Sequence, residues 1–211
     1  MLTCQCPAAA ALTTIPNVTC PENFGQIQKI AFQRLRKANG APNFFEAANI
    51  PVLANWTALL AAADGSKIVV SPYVNAPADS GGDARRTSGG NDDLGGMSEV
   101  LGGNPVQFDG QFRSIPQSVI KALKELQCEA NAGNLGVFLF DENGKIECIK
   151  VPNEDMLCPI PIRSLFIGSK IHGNFDAKDS NAISWMYPDN YSDNLTIVAP
   201  EFNPLTDLIP A

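Results

Sequence analysis

The fold is decided by the stretch Leu135-Gly-Val-Phe-Leu-Phe-Asp-Glu-Asn-Gly-Lys-Ile-Glu-Cys-Ile-Lys-Val151. It contains two β-rich runs, Leu135 to Phe140 and Lys145 to Val151, separated by Asp141-Glu142-Asn143-Gly144. An Asn-Gly pair between two such runs favours the left-handed backbone of a tight hairpin turn. The stretch therefore predicts a β-hairpin and favours a mainly β protein.

Further β-rich runs lie on both sides of this hairpin, each bounded by turn residues. Gln26 to Arg36 also fits helical spacing, but Pro21 and Asn39-Gly40 at its ends favour a strand. Met97 to Phe112 is predicted as strand, turn, strand, with the turn at 102–105. The remaining predicted strands are Ser66 to Asn75, Ile160 to Ile171, Ala182 to Tyr187 and Asn194 to Ala199.

One well-defined helix is predicted between Ser114 and Gly133. Ser114 is a suitable N-cap, and Gln117 follows three residues later, as a capping box requires. Gly133 is the expected left-handed stop. The apolar stripe of this helix consists of Ile115, Val119, Ala122, Leu123 and Leu126. A shorter segment, Trp56 to Ala63, is predicted as a helix or turn.

These elements predict a mainly β, α+β fold: a β-sandwich or barrel with one flanking helix. Residues 1–22 are predicted as an N-terminal arm, 23–199 as a single β-rich domain and 200–211 as an extended C-terminal arm. Residues 76–96 hold three Gly-Gly pairs with Asp and Arg between them, which predicts a long mobile loop. Exposed sheet edges would invite aggregation in a monomer, and pairing between subunits in a ring would remove that liability.

Composition restricts the class of partner. The chain has 211 residues, 45% of them hydrophobic and only 18% charged, with a formal net charge of -7. A basic nucleic-acid-binding surface is not expected from this balance. An acidic wall would repel phosphates and suit a channel that DNA slides through, whereas ordinary solubility is the simpler reading. No run of about 18 apolar residues predicts a membrane span.

The chain carries no motif for catalysis, a cofactor or a metal. His172 lacks a nucleophile motif and is interpreted as a turn histidine. Asp176 with Asp179, and Asp92 with Asp93, lack the ligand spacing of a calcium loop and are interpreted as solvated turn residues. The cysteines are interpreted as buried free thiols; they are Cys4, Cys6, Cys20, Cys128, Cys148 and Cys158.

Four aromatic residues of the C-terminal half leave two readings open. Phe166, Trp185, Tyr187 and Tyr191 could form a platform for carbohydrate, but alternating aromatic residues in strands are typical of a core. A carbohydrate platform would make the chain a carbohydrate-binding module, which is the alternative to a structural protein.

Several stretches resemble structural proteins of phages and prophages of Bacteroidetes hosts, most of all tail tube (major tail) proteins. Together they cover about two thirds of the chain, discontinuously. The stretches are 23–27 (Asn-Phe-Gly-Gln-Ile), 110–118, 123–128, 136–140 (Gly-Val-Phe-Leu-Phe), 159–162 (Pro-Ile-Pro-Ile), 166–168, 190–194 (Asn-Tyr-Ser-Asp-Asn) and 202–208 (Phe-Asn-Pro-Leu-Thr-Asp-Leu).

The resemblance implies a non-enzymatic virion protein, assembled in the host bacterial cytoplasm, that stacks as rings with copies of itself. Such rings are typically hexameric, bind other virion proteins and enclose a channel through which DNA passes without sequence-specific binding. A head-to-tail connector and a capsid decoration protein are the alternatives within the virion. The resemblance supplies no site residues.

Overall fold

The computed structural model describes residues 14–19 and 22–209 and confirms a mainly β, α+β fold. The described residues form thirteen strands, two α-helices and three short 3₁₀ turns, whereas the sequence predicts one well-defined helix and a segment, Trp56 to Ala63, that is a helix or turn. The strands are β1 Ile27–Arg34, β2 Phe45–Glu46, β3 Ile68–Val70, β4 Asn75–Ser80, β5 Ala84–Arg86, β6 Val100–Gly103, β7 Gln107–Arg113, β8 Leu135–Asp141, β9 Ile146–Lys150, β10 Met156–Cys158, β11 Ile160–Ile167, β12 Ser180–Met186 and β13 Leu195–Val198; the helices are α1 Leu53–Leu60 and α2 Gln117–Asn131.

Eleven of the strands form one antiparallel sheet, and β5 and β6 form a separate two-stranded sheet. The large sheet follows the order β2-β10-β9-β8-β11-β12-β7-β4, with β1 and β3 beyond β8 and with β13 beside β9. The predicted hairpin is confirmed, because β8 and β9 pair through Leu139↔Glu147 and Phe140↔Ile146. Strand β8 also pairs with β1 and β11, so the hairpin lies at the centre of the sheet.

Strand β8 is buried on both faces, which gives the molecule two cores. All seven of its residues are buried. Because side chains alternate across a strand, Val137 and Leu139 pack into the first core, whereas Phe138 and Phe140 pack into the second. Helix α1 covers the second core with Trp56, whose indole N–H donates to the Ile50 carbonyl at 2.7 Å.

The sheet curls around the first core but remains open, so the predicted barrel does not close. Phe32 on β1 meets Trp185 on β12 edge to face, with ring centroids 6.5 Å apart, although two strands lie between them in the sheet. Phe108 on β7 stacks on the same indole at 3.9 Å. Helix α2 packs against this core with Ile120 and Leu123.

Helix α2 is confirmed, but its predicted start is wrong. Pro116 is the N-cap and no side chain caps the helix, so the capping box does not form. Ser114 has a left-handed backbone with φ of 53°, and its N–H donates to the Asp179 carbonyl at 2.9 Å. The stop is as predicted: Gly133 has φ of 70°, and Asn134 N–H bonds to the Glu129 carbonyl in a Schellman motif.

The stretch 76–96 is more regular than predicted. Strand β4 lies within its first residues and pairs with β7, so these residues belong to the main sheet. Strand β5 and two short 3₁₀ turns follow, Gly90–Asp92 and Leu94–Gly96. The strands predicted in Met97 to Phe112 are present, but β6 pairs with β5 while β7 pairs with β4 and β12.

The C-terminal segment folds back instead of projecting as an arm. Leu208 is buried in the second core, and Phe202 packs on Trp56 with ring centroids 6.4 Å apart. Lys29 Nζ donates to the Leu205 carbonyl at 2.7 Å. This packing holds the segment up to Ile209 against the domain. Of the predicted N-terminal arm, residues 1–13, 20 and 21 lie outside the described residues.

Candidate assembly surface

Residues 81–105 leave the main sheet as a hairpin, called the arm below. Strands β5 and β6 form its stem through Ala84↔Gly103 and Arg85↔Gly102. At its root, Asn104 N–H donates to the Asp83 carbonyl at 2.8 Å. None of the residues 81–105 is buried. A lone two-stranded hairpin is marginally stable in water, so this arm is a segment that a partner surface would stabilise.

The tip of the arm exposes large apolar side chains. Leu94 is fully exposed and Met97 is 77% exposed, and Val100 and Leu101 follow them on β6. The backbone bends here at two Gly-Gly pairs, where Gly89, Gly90, Gly95 and Gly96 all have φ near +70 to +80°. Side-chain-bearing residues rarely adopt that conformation, so the glycines explain how the tip folds on itself. An apolar tip held away from both cores is typical of a contact surface.

Two clefts adjoin the root of the arm and share Tyr191. One, of about 310 Å³, is lined by Gly82, residues 102–106 and residues 188–193 of the chain between β12 and β13. The other, of about 330 Å³, lies between β4, the start of β1 and β9 and is lined by Asp79 and Glu147. Tyr191 lines both, and the two clefts together are called the acidic cleft below.

Glu147 is the half-buried carboxyl of the acidic cleft. Burial, together with the negative charges of Asp79 and Asp141, raises the pKa of Glu147 to about 7. Partial desolvation and the neighbouring Asp109 also raise the pKa of Asp79. The same environment raises the pKa of Tyr191. A cationic group placed in this cleft would therefore meet carboxylates that lack a counter-charge.

Asp141 has a different role, because its carboxylate is fully occupied inside the protein. It is buried and accepts hydrogen bonds from the backbone N–H groups of Gly25 at 3.0 Å, Asn143 at 2.9 Å and Lys145 at 2.7 Å. It thus closes the β8–β9 turn and fastens the chain before β1 to it. Such a carboxylate is structural.

The outer face of β4, β7 and β12 carries mostly small or uncharged polar side chains. Asp109 is hydrogen-bonded by Gln107 Nε2 at 2.8 and 2.9 Å, and Arg113 lies at the far end of the face. These are its two ionisable side chains in the described structure. The other members lie on the side opposite the buried residues of β7 and β12: Asn75, Ala78, Ser80, Gln107, Gln111, Ser180, Ala182, Ser184 and Met186.

The residues considered for chemistry in the sequence do not converge. His172 is 82% exposed, with Nδ1 at 3.6 Å from Asp179 Oδ2, and that carboxylate also accepts the Gly173 N–H at 3.0 Å. Asp176 is exposed nearby, while Asp92 and Asp93 lie at the tip of the arm. Within 14–19 and 22–209, no group of three or more metal-ligating side chains is found, and none of the helices there is long and apolar enough to cross a membrane.

The aromatic cluster is mostly core. Trp185 and Tyr187 are buried, and Tyr187 stacks on Tyr191 with centroids 4.2 Å apart. Phe166 departs from the core interpretation, because it is 54% exposed on the outer face of β11. One exposed ring is not a stacking platform, so the observation behind a carbohydrate-binding module is lost.

Three cysteines lie in the described residues, and they differ in solvent exposure. Cys148 is buried, and burial raises the pKa of its thiol to about 12. Cys158 is half-buried, whereas Cys128 on α2 is exposed, so the prediction of a buried thiol is wrong there. The predictions for Cys4, Cys6 and Cys20 fall outside the described residues.

Sequence reasoning missed Glu147 and Asp79 as surface features. The available signal was weak: Glu147 stands between the apolar residues Ile146 and Cys148 of a predicted strand. Asp79 lay in a stretch predicted as a loop, so its pairing opposite Phe108 could not be anticipated.

No protein-family model matches the sequence, and no curated protein is significantly similar to it. Among solved structures, the chain is similar to a chain of the tail of an empty GTA particle with C6 symmetry, at 13% identity and a TM-score of 0.31, covering 60% of this chain and 82% of the other. A chain from the virion of a native gene transfer agent (GTA) particle is similar at 12% identity and a TM-score of 0.32, covering 63% of this chain and 89% of the other. A chain of the sixfold-symmetrised baseplate of the anti-feeding prophage is similar at 9% identity and a TM-score of 0.32, covering 87% of this chain and 100% of the other. These scores are low, and the function proposed below rests on the chain's own surface.

Proposed function

We propose that this chain is a non-enzymatic structural subunit of a virion, which assembles with copies of itself into stacked rings of a phage tail tube. The observation that carries the proposal is the arm: residues 81–105 have a defined hairpin but no core of their own. An exposed hairpin gains stability when another surface covers its apolar tip and pairs its free edges. A second copy of the same chain is the partner that a repeating assembly provides.

The edges of the main sheet support the same function. Strand β4 ends the sheet on one side, pairs with β7 alone and is short and exposed. Strand β3 pairs only with β1 and exposes Val69. Sheets that join along such edges close into a ring when the rotation between neighbours closes. Rings of six copies, built from the domain 23–199, are the form proposed here.

The outer face of β4, β7 and β12 suits the wall of a DNA channel. Small polar side chains with few charges offer no cluster of bases to hold phosphates, so DNA would pass without sequence-specific binding. The net charge of -7 also disfavours binding of DNA phosphates. This face is assigned to the lumen, and the arm to contacts with adjacent copies and with other virion proteins.

The direct test removes the arm from a folded subunit. Because Asp83 and Asn104 are already hydrogen-bonded, residues 84–103 can be replaced by an Asn-Gly turn. We expect the unaltered protein to form rings or tubes in negative-stain micrographs and the shortened one to remain monomeric, with unchanged far-UV circular dichroism. A length-preserving variant, Leu94→Ser with Met97→Ser, isolates the apolar tip. An unaltered protein that stays monomeric at the highest attainable concentration would overturn the proposal.

A further inference from the structure

The acidic cleft lacks any basic residue of its own. Its lining includes the carboxylates of Asp79, Glu147, Asp189 and Asp193, and no Lys or Arg. Asp189 and Asp193 are exposed at the rim, whereas Glu147 lies deeper. None of the four makes an ion pair in the part of the chain that the structure describes. Because these carboxylates share one surface without a counter-charge, the cleft is complementary to a cationic group.

The arm supplies such a group. Arg85 and Arg86 are the only basic residues among 81–105, and both are exposed on β5. Neither makes an ion pair with any described residue of its own chain. A guanidinium presents a planar fork of donors that matches a carboxylate.

Arg85 lies on the strand next to the cleft. Ala84 and Arg85 pair with Gly103 and Gly102, and both of these glycines line the cleft at the root of the arm. A ring joins two different surfaces of neighbouring copies across a head-to-tail, or heterologous, contact. The exposed arginines of one copy and the acidic cleft of the next are two such surfaces of opposite charge.

We propose that Arg85 and Arg86 of one copy bind the acidic cleft of the neighbouring copy in the same ring. This inference rests on the proposed function, since it requires assembly with copies of the chain. It goes further by assigning the lateral contact to a defined basic pair and a defined acidic surface. The contact gives a counter-charge to Glu147 and Asp79, which line the cleft together and make no ion pair within the described residues.

Charge reversal tests the contact without disturbing either core. One variant carries Arg85→Glu and Arg86→Glu; a second carries Asp189→Arg and Asp193→Arg, both at the exposed rim. A third combines all four changes. The measured quantity is the protein concentration at which half of the chain is assembled, by light scattering after size-exclusion chromatography, with rings checked by negative-stain microscopy.

We expect each reversed pair to raise that concentration by about tenfold or more, as the loss of a charge pair at an interface does, and the fourfold variant to restore it. The matched control is Lys121→Glu with Lys178→Glu, two exposed bases outside the arm and the cleft; it should assemble as the unaltered protein does. Raised salt should weaken assembly of the unaltered protein.

The outcomes separate the two proposals. If the unaltered protein does not assemble at all, the proposed function fails and this inference with it. If it assembles and the arginine pair can be reversed without effect, this inference alone is overturned. If both reversals weaken assembly but the fourfold variant gains nothing, the two surfaces do not touch each other and the inference is likewise overturned.

Discussion

The body of this molecule and its arm differ in how far their strands are paired and buried. In the body, β8 has a bonded strand on each side and buried side chains on each face. In the arm, β5 and β6 bond only to each other, and their apolar side chains lie in solvent. The body is therefore stable by its own packing, whereas the arm has no core of its own. Folding and assembly are expected to be separable properties that map to different residues.

The largest effect is expected from a core substitution in the body. Phe138→Ala removes a fully buried ring that packs on Phe45 at 5.7 Å and Trp56 at 5.2 Å. Loss of a buried Phe costs about 3–5 kcal/mol of unfolding free energy. Chemical denaturation of the full chain, at a concentration too low for assembly, measures this loss for both variants. Leu94→Ala on the arm is the matched control, and an equal loss there would contradict the division into body and arm.

A smaller effect, which depends on pH, is expected at Glu147 on β9 of the body. The pKa of Glu147 is raised to about 7 in the folded chain, above its ordinary value of 4.5. The folded state therefore binds more protons than the unfolded state between these two values, and stability falls as the pH rises through that window. Below it the carboxyl is protonated in both states and the penalty disappears.

Glu147→Gln should remove that dependence. The variant should melt at a higher temperature than the unaltered protein at pH 8, and the difference should shrink toward pH 5. Glu142→Gln, at the exposed turn of the same hairpin, changes the formal charge equally and is the control. Thermal melts across pH 5 to 8 decide the matter; a constant offset between Glu147→Gln and the unaltered protein would show that the carboxyl does not titrate in this window.

The sequence predicts the body better than the arm, for physical reasons. The β8–β9 hairpin and helix α2 follow from local patterns, namely Asn-Gly between apolar runs and an apolar stripe ending at Gly133. The start of α2 was mispredicted because Ser114 is fixed in a left-handed conformation by a bond to Asp179, a contact 65 positions away in the chain. The pairing of β4 with β7 is similarly non-local, and its residues Asn-Ala-Pro-Ala-Asp-Ser have no strand pattern.

The acidic cleft could not be found from sequence, because its parts are remote from one another. Asp79, Glu147 and Tyr191 come from β4, β9 and the turn before β13, and only the curl of the sheet brings them together. Each residue has an ordinary local interpretation. The cleft, and the position of Arg85 beside it, become visible only once the pairing of the strands is known.

The smallest effect compares one glycine in each region. Gly133 ends α2 with φ of 70°, and Gly90 bends the arm with φ of 71°; an added Cβ meets no atom within 4 Å at either position. Alanine is therefore strained to the same degree at both sites, by about 1 kcal/mol.

In the body this strain is released only by unfolding, so Gly133→Ala should lower the unfolding free energy by that amount. In the arm it is released by local opening, so Gly90→Ala should leave the unfolding free energy of the body within about 0.5 kcal/mol while weakening assembly. Denaturation of dilute, unassembled protein measures the first effect and light scattering the second. Equal losses of unfolding free energy at the two glycines would mean that the arm folds and unfolds together with the body.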